Sequence, residues 1–138
     1  MNSERLKLLV NELRRGEFIQ GQGCLRQPGN HCALGVACEV FRRHTGQGRW
    51  IPSGGRFRFV VPGGERRYDY SSPAAMLAPQ VIRWYLHDPE DPRLEQELNM
   101  LFRQVAIQND SGVPFEELAQ LIEALVAEEE GGSLAAVC

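Results

Sequence analysis

The stretch Cys32-Ala33-Leu34-Gly35-Val36-Ala37-Cys38-Glu39-Val40-Phe41-Arg42-Arg43-His44 decides the fold. Leu34, Ala37, Cys38 and Phe41 make one face at helical spacing, and Val36 and Val40 add a second. A helix that is apolar around most of its circumference belongs in the middle of a core. The spacing therefore predicts a central buried helix over about 32–44, ended by Gly46 and Gly48.

Upstream, Leu6, Leu9, Val10 and Leu13 form one apolar face of a first helix, with Ser3 as its expected cap and Gly16 as its stop. Phe18-Ile19 is expected to fold back onto that face. Gln20-Gly21-Gln22-Gly23 and Gln27-Pro28-Gly29-Asn30 read as loops around Cys24-Leu25-Arg26, with room for a short strand at Gly23–Arg26.

Downstream, Arg56-Phe57-Arg58-Phe59-Val60-Val61 alternates polar and apolar residues. With a turn at Pro62–Glu65 and a return over Arg67–Tyr70, it predicts an antiparallel hairpin over about 56–70. Three further helices follow. One starts near Pro79 and presents Val81, Trp84 and Tyr85. The next is capped by Asp91, with Leu94, Leu98, Leu101, Phe102 and Val105 inward. The last runs from Pro114 with Phe115, Leu118, Ala119, Ile122, Leu125 and Val126. Glu128-Glu129-Glu130-Gly131-Gly132 reads as a fraying end before a flexible tail at 131–138. The expected architecture is α+β, mainly α: about five helices around the buried 32–44 helix, with one small antiparallel hairpin, in a single domain over 1–130.

The 138 residues suit one domain, and 43% apolar with 24% charged residues is ordinary for a globular chain. The N-terminus does not read as a signal peptide, and no run approaches the roughly 18 apolar residues of a membrane span. A cytoplasmic setting is expected, with Cys24, Cys32, Cys38 and Cys138 as reduced thiols.

The net charge of −3 hides an asymmetry. Met1–Arg67 holds twelve Arg and Lys against five Asp and Glu, and Tyr68–Cys138 holds three against thirteen. All the basic residues but Lys7 are arginines, which suit bidentate contacts with phosphate or carboxylate. The two halves are expected to face and neutralise one another, or the basic half to serve an anionic ligand.

Four blocks carry a resemblance. Leu13–Arg26 reads LRRGEFIQGQGCLR, Cys32–Glu39 reads CALGVACE, Leu77–Trp84 reads LAPQVIRW and Asn109–Ala119 reads NDSGVPFEELA. In this order they resemble the blocks LRSGEYxQGxGxLR, CCLGVxCD, LPxxVxxW and NDxGxSFxEIA of a family of small uncharacterised phage, prophage and bacterial proteins. Ala33 stands where that family has the second of two adjacent cysteines. The resemblance implies a phage or mobile-element setting and no established activity.

Cys32 is the candidate nucleophile, since a helix N-terminus lowers a thiol's pKa. Its base is the difficulty: His31 is its neighbour in sequence, His44 lies at the far end of the same helix, and His87 sits in a Pro-rich loop. Cys24, His31, Cys32 and Cys38 lack the spacing of a zinc knuckle, so no metal and no cofactor is expected. The candidate ligand-binding set is Gln20, Gln22, Arg26, Asn109 and Asp110, built from the Gly/Gln loop and the Asn-Asp turn. Arg42, Arg43, Arg49, Arg56, Arg58, Arg66 and Arg67, with Trp50 and Tyr68, could line a nucleic-acid patch. The acidic balance and the absence of a recognised motif argue against that partner. The expected function is a non-enzymatic binding or accessory protein for a small anion such as a nucleotide, or for a host or phage protein. The alternatives are a Cys32-dependent hydrolase or transferase and a structural or protein-interaction module, for which a homo-oligomer is one form.

Overall fold

A computed structural model describes residues 2–62, 77, 79–86 and 92–137 of the chain. The expected return strand at 67–70, Arg66, Tyr68, His87, Asp91 and Cys138 lie outside the described residues. The element order is α1 (Ser3–Arg14), β1 (Arg26–Gln27), β2 (Asn30–His31), α2 (Ala33–Thr45), β3 (Arg49–Ser53), β4 (Arg56–Val60), α3 (Pro79–Trp84), α4 (Pro92–Asp110) and α5 (Phe115–Val137). The fold is α+β and mainly helical, with one four-stranded antiparallel sheet.

Helix α2 is the centre of the core. Nine consecutive residues, Ala33–Phe41, are buried, so almost no part of its circumference meets water. Gly35 has a packing reason: a Cβ there would stand 1.9 Å from the Leu25 carbonyl oxygen. Glycine is thus what lets the β1 approach lie against the helix. The helix ends at Gly46, whose left-handed φ of 71° lets its N–H donate to the Arg42 carbonyl.

Helix α1 buries Leu6, Leu9, Val10 and Leu13 against α2 and α5. Its cap is Asn2 rather than Ser3: the Asn2 side chain accepts the Arg5 N–H at 3.1 Å. Asn2 is extended while Ser3 already has helical geometry, so the first orphan amides fall within reach of the earlier residue. Arg14 bridges to Glu116 and Glu123 on α5, joining the basic half of the chain to the acidic half. Helix α3 brings Tyr85 fully into the core, where its hydroxyl donates to the Ala37 carbonyl at 2.8 Å. Leu98, Leu101, Phe102 and Val105 of α4, and Phe115, Leu118, Ala119, Ile122 and Val126 of α5, complete one continuous cluster. The α5 helix continues through Glu128–Gly132 to Val137.

The hairpin is displaced from its expected position. β4 is its second arm, not its first, and pairs with β3 through Arg49↔Val60, Trp50↔Phe59, Ile51↔Arg58, Pro52↔Phe57 and Ser53↔Arg56. The turn is Gly54-Gly55, with φ of 60° and 79°. Two consecutive positive-φ residues are what a two-residue hairpin turn requires. Pro52 is tolerated in β3 because β3 is an edge strand in the order β2-β1-β4-β3. On its other side β4 meets β1 through Arg26↔Phe57, so both of its edges are occupied.

Candidate functional site

The Gly/Gln loop and the Asn-Asp turn meet in space. Asn109 is fully buried, and all four of its side-chain hydrogen-bonding positions are filled. Its Nδ2 donates to the Gly21 carbonyl at 2.8 Å and to Asp110 Oδ1 at 3.4 Å. Its Oδ1 accepts from Gln20 Nε2 at 3.0 Å and from the Ala33 N–H at 3.2 Å. Gln20 Nε2 also donates to the Val113 carbonyl at 2.7 Å, and its Oε1 accepts the Phe115 N–H at 3.1 Å. Asp110 Oδ1 accepts the Gly23 N–H at 2.9 Å. Gln20 and Asn109 therefore satisfy orphan amides at the starts of α5 and α2 and fasten the loop to the α4–α5 turn. Gln22 is exposed beside them, and Arg26 lies elsewhere.

Cys32 is the N-cap of α2, and its Sγ accepts the Gly35 N–H at 3.4 Å. It is only 4% exposed. Burial pushes the thiol up to about 12, outweighing the N–H groups of Gly35 and Leu34 that favour the thiolate. The helix N-terminus was expected to lower this pKa; desolvation wins because the sulfur has no route to water. Burial likewise raises Cys24 and Cys38. Among the described residues, no group of His, Cys, Asp and Glu is placed to hold a metal ion.

Arg26 belongs to a second constellation. The pairings His31↔Arg26 and Arg26↔Phe57 put these three side chains on one face of the sheet, and Phe59 with its partner Trp50 continues that face. Phe59 turns it toward α2, meeting Phe41 edge-on with ring centroids 6.2 Å apart. Glu39, Arg42 and Arg43 of α2 form the opposite wall, on one side of the helix by their i, i+3 and i+4 spacing. Phe18 closes one end, with its ring edge-on to His31 at 4.9 Å, and Arg49 stands on the rim. The result is an open cleft of about 420 Å³.

Three of the aromatic rings here carry a guanidinium. Arg26 lies 4.5 Å from the Phe57 centroid and 5.4 Å from that of Trp50, and Arg43 lies 5.2 Å from that of Phe18. Stacking in this way holds the fork flat while its N–H edges stay available. Glu39 ties the helix wall to the sheet wall. It receives Arg42 Nε at 2.8 Å, Arg42 Nη2 at 2.9 Å and the Trp50 indole N–H, with Arg43 Nε at 3.4 Å. Burial works to raise its carboxyl, but the Arg42 and Trp50 hydrogen bonds and the two positive charges hold it at about 2. Arg43 also pairs with Glu17 at 2.8 Å. Among the described residues, no carboxylate pairs with Arg26 or Arg49.

His31 lies between these groups. Burial, then the nearby charge of Arg26, lowers its pKa to about 4, so the ring is neutral at pH 7. Its Nε2 is buried and finds no hydrogen-bond partner among the described residues, which costs stability. Sequence reasoning named Arg26, Arg42, Arg43, Arg49 and Trp50 without grouping them into a cleft. It weighed His31 as a base and as a zinc ligand, and it missed Phe18 and Glu39 as cleft residues. Glu39 did carry a signal, as the one carboxylate in the buried run Ala33–Phe41.

Fold and cleft together define a small, mainly helical α+β protein with an arginine-lined cleft between its central helix and its sheet. The chain belongs to the family described as domain of unknown function DUF8296, whose model matches residues 1–126. No curated protein and no solved structure matches it. No helix among the described residues is long and apolar enough to cross a membrane.

Proposed function

We propose that this protein is a non-enzymatic accessory protein that captures a small anionic ligand in the Arg26–His31–Glu39 cleft, in the cytoplasm and in a phage or prophage setting. One observation carries the reading: Arg26 and Arg49, which have no carboxylate partner among the described residues, line the same cleft as the neutral His31 ring. Four arginines against the single Glu39 leave the lining net positive. The volume falls in the range of roughly 300–1,000 Å³ typical of small-ligand sites. Cys32 does not favour the hydrolase alternative, because its thiol stays protonated and enclosed at neutral pH.

The test is thermal melting against a panel of nucleotides, cyclic dinucleotides, sugar phosphates and carboxylates. A ligand present at 100 times its dissociation constant adds about 2.7 kcal/mol, which raises the melting temperature by several degrees. Arg26→Ala should abolish that shift. If no anion moves the transition, the cleft is not a small-anion site.

A further inference from the structure

Taking the cleft as an anion site, we infer that the group it recognises is a terminal phosphate, a phosphomonoester dianion, in preference to a carboxylate or a phosphodiester.

Charge accounting comes first. Arg42 is held by Glu39, and Arg43 by Glu17 and Glu39. Arg26 on the wall and Arg49 on the rim remain without a carboxylate among the described residues. Two uncompensated positive charges match a phosphomonoester, which carries about −1.5 to −2 at pH 7. A carboxylate or a diester carries one charge and leaves one guanidinium unmatched.

The Trp50, Phe57 and Phe18 rings carry Arg26 and Arg43, so a nucleobase does not have these faces to itself. The cleft instead offers guanidinium N–H edges, which suit the several acceptor oxygens of a phosphate. The neutral His31 ring lines the same cleft and adds no charge to it. A volume of about 420 Å³ leaves room for that organic part, as in a mononucleotide or a sugar phosphate.

The experiment is isothermal titration calorimetry on the full chain with inorganic phosphate, AMP, glucose 6-phosphate, 3′,5′-cyclic AMP, acetate and a short oligothymidylate. The two phosphomonoesters should bind at least tenfold more tightly than the cyclic diester, acetate or the oligonucleotide. Which monoester is tighter identifies the organic part. Phosphomonoester affinity should fall about tenfold from pH 7.5 to pH 5, because the second phosphate ionisation lies near pH 6. Arg49→Gln, an exposed substitution that leaves the core untouched, should weaken the monoesters more than the diester. Equal affinity for acetate or cyclic AMP, tighter oligonucleotide binding, or a flat pH profile would overturn the inference while leaving an anion site in place. Failure of every anion to bind removes the site and the inference together.

Discussion

Two polar constellations flank α2, and they differ in what they leave undone. At its N-terminal end, Gln20 and Asn109 donate to the Val113 and Gly21 carbonyls and accept from the Phe115 and Ala33 N–H groups, and Asn109 has no capacity to spare. Beside its C-terminal half, the cleft keeps a buried His31 nitrogen without a partner, and Arg26 and Arg49 without a counter-charge among the described residues. Loop glutamines and asparagines beside glycines look like ligand-binding chemistry in a sequence, yet here most of them close the fold. Residues spread over three strands, a loop and a helix form the site with unmet capacity. A satisfied network reads as architecture, and an unsatisfied one invites a ligand.

The sharpest way to break this contrast is Asn109→Leu. It strands the Gly21 carbonyl, the Ala33 N–H and part of Gln20. We expect a loss of about 3–4 kcal/mol in chemical denaturation, from several buried groups at about 1–3 kcal/mol each. A loss below about 1 kcal/mol would show that the network is not structural.

Glu39→Gln probes the tie between the cleft walls. The Glu39 carboxyl is depressed in the folded state, so its contribution is present above its unfolded value and is lost as pH falls from about 4.5 toward 2. The wild type should lose about 2–3 kcal/mol across that window, and the variant should lose less by that amount.

His31 acts in a different window. Its imidazole is also depressed, so the unfolded chain binds the extra proton first and stability falls as pH drops from about 6.5 to 4. Allowing for partial exposure, the loss is about 2 kcal/mol. His31→Phe should flatten this part of the profile while keeping the ring contacts. An unchanged slope would mean that His31 is not held neutral.

Cys32→Ala gives the smallest effect, about 1 kcal/mol for a lost cap, with anion binding intact. In the wild type, alkylation of Cys32 should be negligible at pH 8 until the chain unfolds. Fast alkylation of the native thiol would reopen the nucleophile reading.

Much of the helical framework was legible in the sequence. The run Ala33–Phe41 announced a buried helix, and the apolar spacings of α1, α4 and α5 placed their inward faces, because one periodicity dominates each. The described hairpin turns at Gly54-Gly55 between two five-residue strands, and neither that turn nor β3 was read from the sequence. Arg26 was recognised as a ligand candidate, but its neighbours Phe57 and Trp50 were not read beside it, since they depend on the Arg26↔Phe57 pairing and no local pattern reports a pairing across such a distance. Glu39 was readable as an acid out of place. What it organises was not, because Trp50 reaches it only once β3 packs beside α2.

That same long-range pairing has a kinetic consequence. The β3–β4 hairpin closes through a two-residue turn, an event of about 1–10 μs in isolation. The Arg26↔Phe57 bridge joins positions 31 apart with the whole of α2 between them, so its loop-closure entropy is met only once that helix is in place. Competence to bind an anion should therefore emerge late in refolding, behind the helical signal, and a fluorescence change at Trp50 would time its arrival.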